Sequence, residues 1–387
     1  MKKQQYLFIS RKSSHYRYYK KLVSYLGDTA SLKGIKLFAF PNFSTWKKVN
    51  ELDINDLVDV HIKRKQARHP ILKNNAVLAR FTHIVYEFRE RCRASYYFSF
   101  FASHPADTVI FWNGMKQPNR TPYIVAKASG KRTFLFENGL LPNTTVLDPK
   151  GVNAVNSLPR NSQFYLSWQG DPAMTNKKLV VRAPHKKRKT NSKKVTLPER
   201  YIFVPFQVPN DTQIVCHSPW IPDMETFYNV IEQALTDLKK QKQQLPFKLV
   251  IKEHPSWPKS FTELYDKNPD IIFANNNDTQ ELIENSLAVV TINSTVGIEA
   301  LLLEKPVITL GNSFLNIDQL VVHCDNQLAF NNALAKIELF EINNELVKRF
   351  LAYLEAEYLL PQSWDNLSAP DAHFSYVQQR LEHSYLP

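Results

Sequence analysis

Apolar positions in this chain follow two periods, and the periods alternate. Short β-branched and aromatic runs of strand length stand at Tyr6–Ser10, Lys36–Phe40, Thr108–Trp112 and Thr133–Phe136, and again at Tyr201–Pro205 and Phe247–Ile251. Between them the spacing turns helical: over 11–27, stopping at Gly27, over Thr121–Ser129, and over Phe227–Lys239. Leu57 to Phe101 is long, basic and aromatic and predicts several helices. The stretch Ala288–Gly311, AVVTINSTVGIEALLLEKPVITLG, reads as strand, turn, helix and strand, with a tight break at Lys305-Pro306. Such alternation implies an α/β fold of βα units around largely parallel sheets, whose ligands gather at the carboxyl ends of strands.

That rule selects the candidate residues. In the turn from Asn293 through Ser294 and Thr295 to Gly297, helix-start N–H groups and two hydroxyls suit a phosphate, or one hydroxyl simply caps the helix. Glu137 ends the run TFLF and opens a long loop rich in Pro, Gly and Asn, whose apolar residues predict order. It is a candidate general base or a loop-pinning carboxylate. Arg160 closes that loop and either meets a substrate carboxylate or pairs with a surface acid. After YIFVP comes Asp211, which can be a nucleophile, a base or an Asx-turn residue, and then His217. FKLVI runs directly into Lys252, Glu253, His254 and Pro255, and a histidine before proline is held extended, with its ring aimed outward. If the strands are parallel, Asp211, His254-Pro255 and Ser294-Thr295 converge on one edge.

The chain has 387 residues and 43% hydrophobic content, enough for two cores. The expected division is 1–175, a basic linker at 176–199, a second domain at 200–360, and a helical segment at 361–387 packing back on the first domain. Cys92, Cys216 and Cys324 lie too far apart for a disulfide framework or a zinc site. No apolar run reaches the ~18 residues of a membrane span, and the opening apolar stretch is short for a signal peptide, which predicts a cytoplasmic protein. The formal net charge is +13, concentrated in His61–Arg93 and Lys177–Lys194. Such runs attract nucleic acid, an anionic membrane leaflet or an anionic substrate. The second run lacks aromatic interleaving and a recognisable nucleic-acid module, so it reads as a linker drawn to the inner face of the cytoplasmic membrane.

Taken as an ordered set, FENGLLPNTTVLDPKGVN, VPFQVPNDTQI, IKEHP and TINSTVGIEALLLEKPVITLG resemble the capsule-polysaccharide-synthesis type of bacterial Kdo transferases, including the retaining β-Kdo transferases of capsule and O-antigen assembly. The resemblance runs from about Thr133 to Gly311. It implies a GT-B architecture, two Rossmann-like domains across a cleft, with CMP-Kdo as donor, a glycan or lipid-linked glycan as acceptor, and no cofactor or metal. His254 and Pro255 would form the element that holds CMP, Ser294 and Thr295 the phosphate-binding pair with Asn293 and Gly297 around it, and Glu299 would reach the ribose hydroxyls. Asp211 falls in the loop of the retaining nucleophile and Glu137 in the acidic motif before glycine. Related transferases often have two acids there, whereas this chain has Asn138 in the second place.

The chemistry suits these residues. CMP is a good leaving group, so neither a strong acid nor a metal is essential, and no Asp-x-Asp motif occurs in the sequence. Retention by two displacements needs one carboxylate close to the anomeric carbon. Lys252, Arg160 or His217 would meet the Kdo carboxylate. An inverting transferase would use Glu137 alone, and a CDP-glycerol transferase would keep the His-Pro and Ser/Thr elements. A basic nucleic-acid-binding protein explains the charge but not the strand-end Glu, Asp and His. Neutralising Lys186, Lys187, Arg188 and Lys189 should lower association with anionic vesicles and leave turnover of a soluble acceptor intact. Lost turnover in that assay would mean that the run lines the active site.

Overall fold

A computed structural model describes residues 4–172, 193–242 and 245–383; most of the basic run at 177–194 therefore lies outside the described residues. The chain divides into two compact units, Met1–Leu158 with Glu357–Pro387, and Pro159–Ala356. The first boundary falls well before the expected 175, and the return to the first unit begins at 357, close to the expected 360.

The first unit opens with strand β1 (Tyr6–Ser10) and helix α1 (Ser13–Leu26), which Gly27 ends at φ 63°, a conformation that glycine adopts without steric cost. Strand β2 is Ala30–Gly34, not the expected Lys36–Phe40. The reason is register: Tyr6 pairs with Ala30 and Ser10 with Gly34, so by Gly34 the chain has already crossed the sheet. The apolar side chains of Lys36–Phe40 then fall outside it, with Phe38 and Phe40 exposed. Helices α2 (Trp46–Asn50), α3 (Ile54–Arg68), α4 (Pro70–Asn74) and α5 (Ala76–Ser103) follow, then β3 (Thr108–Trp112), α6 (Arg120–Ala128) and β4 (Arg132–Asn138).

The region after Glu137 is not one irregular loop. Thr144–Asp148 forms β5, antiparallel to β4, with Leu135 opposite Asp148 and Asn138 opposite Thr145. Gly139 allows the hairpin to close, since a Cβ there would lie 2.0 Å from Thr144 Oγ1. The strands of this sheet are ordered β12-β5-β4-β3-β1-β2, where β12 (Leu360–Pro361) comes from the end of the chain. Alternate residues of β1, β3 and β4 feed two cores. Leu7, Ile9, Val109, Phe111 and Leu135 pack with Tyr97 and Phe101 of α5. Phe8, Ile110, Phe134 and Phe136 pack with Tyr19 and Leu22 of α1 and with Phe374 and Val377 of the last helix, 370–383. Burial on both faces explains the near-continuous apolar runs.

The second unit, Pro159–Ala356, falls in sequence between the two segments of the first. A short helix, α7 (Ser162–Leu166), precedes β6 (Tyr201–Pro205), α8 (Thr212–His217), α9 (Met224–Gln241), β7 (Lys248–Lys252), β8 (Ile271–Phe273) and α10 (Thr279–Glu284). Then come β9 (Val289–Thr291), α11 (Val296–Leu302), β10 (Val307–Thr309), β11 (Val322–His323), α12 (Gln327–Ala335) and α13 (Asn344–Tyr353). The sheet is wholly parallel in the order β11-β10-β9-β6-β7-β8, which is the doubly wound nucleotide-binding order with its reversal between β6 and β9. Two Rossmann-like units in one α/β chain are what the GT-B class has. No helix among the described residues is long and apolar enough to cross a membrane.

Asp148 ties the first unit to the returning chain. Fully buried, it accepts from Lys150 N (2.7 Å) and Gly151 N (2.8 Å) on Oδ1, and from Ser157 N (2.8 Å), Ser157 Oγ (2.8 Å) and Tyr358 OH (2.9 Å) on Oδ2. Asp148→Ala would strand several buried donors at once and should lower the unfolding free energy by about 3 kcal/mol. Tyr358→Phe removes one donor and should cost only about 1 kcal/mol. Urea denaturation of both variants checks the ranking.

Candidate functional site

In the second unit the strand ends lie level. Pro205 pairs with Lys252, Phe203 with Val289 and Thr291 with Thr309, so the chain leaves β6, β7, β9 and β10 along one edge. At the reversal between β6 and β9 two buried amides close on each other. Gln207 Nε2 donates to Asn293 Oδ1 (2.9 Å), and Asn293 N donates to Gln207 Oε1 (3.1 Å). Asn293 Nδ2 donates to the carbonyls of Gln213 (2.9 Å) and His217 (3.1 Å), and Gln213 Nε2 returns a bond to Asn293 O (3.2 Å). Asn293 is therefore a positioning residue whose side chain is fully used. It fixes the β9 turn against the start of α8.

That brings Asp211 and the Ser294 turn to neighbouring places. Asp211 caps α8: its Oδ1 accepts from Gln213 N and Thr212 Oγ1, both at 3.2 Å. The Asx reading of the sequence is thus realised, and it holds the carboxylate rigidly while leaving Oδ2 out of both bonds. Ser294 Oγ accepts from Val296 N (3.2 Å), and Ser294 and Thr295 are the half-exposed residues of an otherwise buried turn. Helix α11 has seven residues, so its dipole is short and the hydroxyl and amide donors matter more than the field. Gly297 is needed for packing, because a Cβ would lie 2.6 Å from Leu315 Cδ1. Glu299 is buried in the first turn of the helix.

His254 is half-buried, with Nδ1 accepting from Ser256 N (3.2 Å). In the neutral ring the proton then sits on Nε2, which makes that atom a donor. The loop bearing His254 and Pro255 is held by Glu253, buried, whose Oε1 accepts from Phe261 N (2.7 Å) and Tyr265 OH (3.0 Å). The three residues expected at a sugar carboxylate have these contacts. The Lys252 amine donates to the carbonyl of Asn277, His217 is buried and lends its carbonyl to Asn293 and Asn312, and Arg160 stands two residues before α7.

In the first unit Glu137 is held by two donors: Asn138 N reaches Oε1 (3.0 Å) and Asn113 Nδ2 reaches Oε2. Asn113 sits at φ 65° beyond β3 and is fixed in turn by its own N–H to Phe136 O (2.8 Å) and by Met115 N on Oδ1 (3.1 Å). Asn138 Oδ1 accepts from Trp364 Nε1 (2.9 Å). Trp364 meets Trp112 edge-on (4.6 Å), and His15 stacks on Trp112 (3.8 Å, 17°). Burial, and then Lys12, push His15 down to about 4, so it is neutral near pH 7. Gln207, Gln213 and Glu253 lie inside the quoted motifs and Asn113 just beyond a predicted strand, but no spacing shows that each pins a neighbour, and nothing in the sequence marks Trp364.

The family described as capsule polysaccharide biosynthesis protein matches residues 172–347. Protein FixF of Sinorhizobium fredii is 37% identical over 320 residues, 81% of this chain and 75% of that protein. The capsule polysaccharide export protein KpsS of Escherichia coli is 28% identical over 271 residues, 54% of this chain and 68% of that protein. Among solved structures, the β-Kdo 2,7 transferase of Thermosulfurimonas dismutans KpsC superposes with a TM-score of 0.46 at 14% identity, covering 97% of this chain and 100% of that one.

Asn293→Ala should strand Gln207 and two carbonyls and lower thermal stability by several degrees. Ser294→Ala, which removes one half-exposed hydroxyl, should leave the melting temperature within about 2 °C. Thermal melts monitored by circular dichroism separate the fastening residue from the surface one.

Proposed function

The chain belongs to the capsule polysaccharide biosynthesis protein family, and from that premise we propose that it is a glycosyltransferase moving Kdo from CMP-Kdo to a glycan hydroxyl with retention of configuration. One observation carries the reading: Asp211, the Ser294 turn and the His254 loop leave one edge of a doubly wound sheet beside its strand-order reversal. In this reading His254 Nε2–H and the Ser294 and Thr295 hydroxyls hold the CMP phosphate, Pro255 shapes the same loop, and Glu299 takes the ribose hydroxyls.

Asp211 is the proposed nucleophile. Its Oδ2 attacks the anomeric carbon, the bond from that carbon to the phosphate oxygen breaks, and its electron pair leaves with CMP. The acceptor hydroxyl, losing its proton to Glu137, then attacks the same carbon and expels the Asp211 carboxylate, so two inversions give net retention. The capping bonds support this role because they fix the carboxylate through Oδ1 alone. Glu137 suits the base because two donors orient it at a strand end. The reaction calls for no cofactor or metal, the product belongs to capsule or O-antigen assembly, and the protein works in the cytoplasm, held peripherally at the anionic membrane face by its basic linker.

A second reading has an observation of its own. Capping α8 is by itself a sufficient use for Asp211, and Glu137 acting alone would then give an inverting transferase. The two part on mass and stereochemistry. With CMP-Kdo and no acceptor, the retaining enzyme should gain one Kdo mass on the peptide containing Asp211. Asp211→Asn should abolish turnover while CMP still binds, and Glu137→Gln should keep adduct formation but slow transfer by about 10²–10⁴-fold. His254→Ala and Ser294→Ala should weaken CMP binding in calorimetry. An active Asp211→Asn enzyme, or a product of inverted anomeric configuration, selects the second reading; CMP affinity unchanged in both donor-site variants removes the donor assignment.

A further inference from the structure

Helix α5 changes character along its length. Its second half is core, with Tyr97, Phe98 and Phe101 buried and the ion pair of Glu90 and Arg93 1% exposed on both sides. Its first half instead presents Val77, Leu78, Phe81, Ile84, Val85 and Phe88 to solvent. At 3.6 residues per turn these six fall within an arc of about 120°, so they form one apolar stripe and not scattered exposures. Phe81 is 65% and Phe88 62% exposed.

The same face of α5 continues through Ser95 and Ser99. There it is covered by the segment before α2, whose Asn42 donates from N to Ser95 Oγ (2.7 Å) and from Nδ2 to Ser99 Oγ (3.0 Å). That segment carries Phe38, Phe40 and Phe43, which are 84%, 94% and 77% exposed. Two elements thus deliver large apolar side chains to one side of the unit, far more than the scattered apolar exposure usual on a monomer surface.

The charge around this side is positive. From Ile54 to Ser103 there are nine Lys and Arg against four Asp and Glu. All four acids already have basic partners: Glu90 with Arg93, Glu87 with Arg91, Asp59 with His83 and Asp56 with Arg120. Lys63 on α3 and Arg80 at the edge of the stripe are exposed. A second copy of the chain seated here would bring cations against cations, and a nucleic acid would leave the stripe wet. An anionic lipid surface satisfies both features.

We propose that the first half of α5, with the Phe38–Phe43 segment, is the face by which this protein docks on an anionic lipid bilayer. Its apolar side chains enter the boundary between headgroups and acyl chains, and its cations meet lipid phosphates. The proposal rests on the reading of the chain as a peripheral membrane protein, but different residues carry it: α5 is described and apolar, whereas the linker run acts by charge alone.

The test is sedimentation of the full chain with vesicles of phosphatidylglycerol and phosphatidylcholine, and of phosphatidylcholine alone. The wild type should bind the mixed vesicles, more weakly at high salt, and the pure phosphatidylcholine vesicles less. A Phe81→Ser/Phe88→Ser variant should lose about tenfold or more of this affinity, while its melting curve and its turnover of a soluble acceptor stay unchanged. Binding of that variant within twofold of wild type overturns the proposal, as does a wild-type dimer in solution that the same substitutions dissociate. If neutralising Lys186–Lys189 abolishes binding while the phenylalanine variant still binds, the peripheral reading stands and this surface is wrong. If the wild type binds no anionic vesicle, both fall.

Discussion

The candidate site in the second unit depends on two amides that satisfy each other inside the sheet's edge. Where strand order reverses, no strand continues above the ends of β6 and β9, and the backbone groups there would be left without partners. Gln207 and Asn293 supply them, each using both its carbonyl and its amino group. Their bonds run on to Gln213 and His217, so one buried network fixes the entry to α8 and the turn into α11 together. A partly satisfied buried network would be costly, which makes the arrangement all-or-none. Gln213 Oε1 is the exception: it is buried and accepts nothing from the described residues.

The sequence makes the sheets legible because their strands are buried on both faces. Tyr6–Ser10, Thr108–Trp112 and Tyr201–Pro205 are buried throughout, and runs of that kind need no partner to be recognised. Lys36–Phe40 has the same look and fails. Its apolar residues serve a surface, and only the register with β1 shows that the sheet has been crossed before it begins. Thr144–Asp148 fails in the other direction, since Pro142 and Asn143 mark a turn while the pairing with β4 is settled only by the hairpin closing at Gly139. Asp211, His254 and Ser294 stand just beyond β6, β7 and β9 as the strand-end rule has them, because position relative to a strand is readable. Asn113 and Gln207 stand just beyond β3 and β6 as well, but that an amide pins a neighbour has no spacing to read.

The expected sugar-carboxylate residues illustrate a different limit. Lys252 ends β7, His217 ends α8 and Arg160 precedes α7, and side-chain direction decides what each can meet. Lys252 turns to the carbonyl of Asn277, whose side chain in turn holds the backbone of Val195. The lysine therefore fastens the segment that enters β6. Charge type tells which residues could bind an anion; the contacts each makes are settled only by the fold.

Asn138 shows how a departure from a pattern can be read once contacts are known. Its backbone N–H donates to Glu137 Oε1, and its side-chain oxygen accepts from Trp364, which belongs to the returning end of the chain. An aspartate could accept from the indole equally well, so the hydrogen bond alone does not explain the amide. The difference is charge: a second carboxylate one residue from Glu137 would set two negative charges side by side at the same strand end, and the amide does not. With an amide there, one carboxylate stands alone between two donors, Asn113 and Asn138. The tryptophan anchor is thus obtained without a second negative charge beside Glu137.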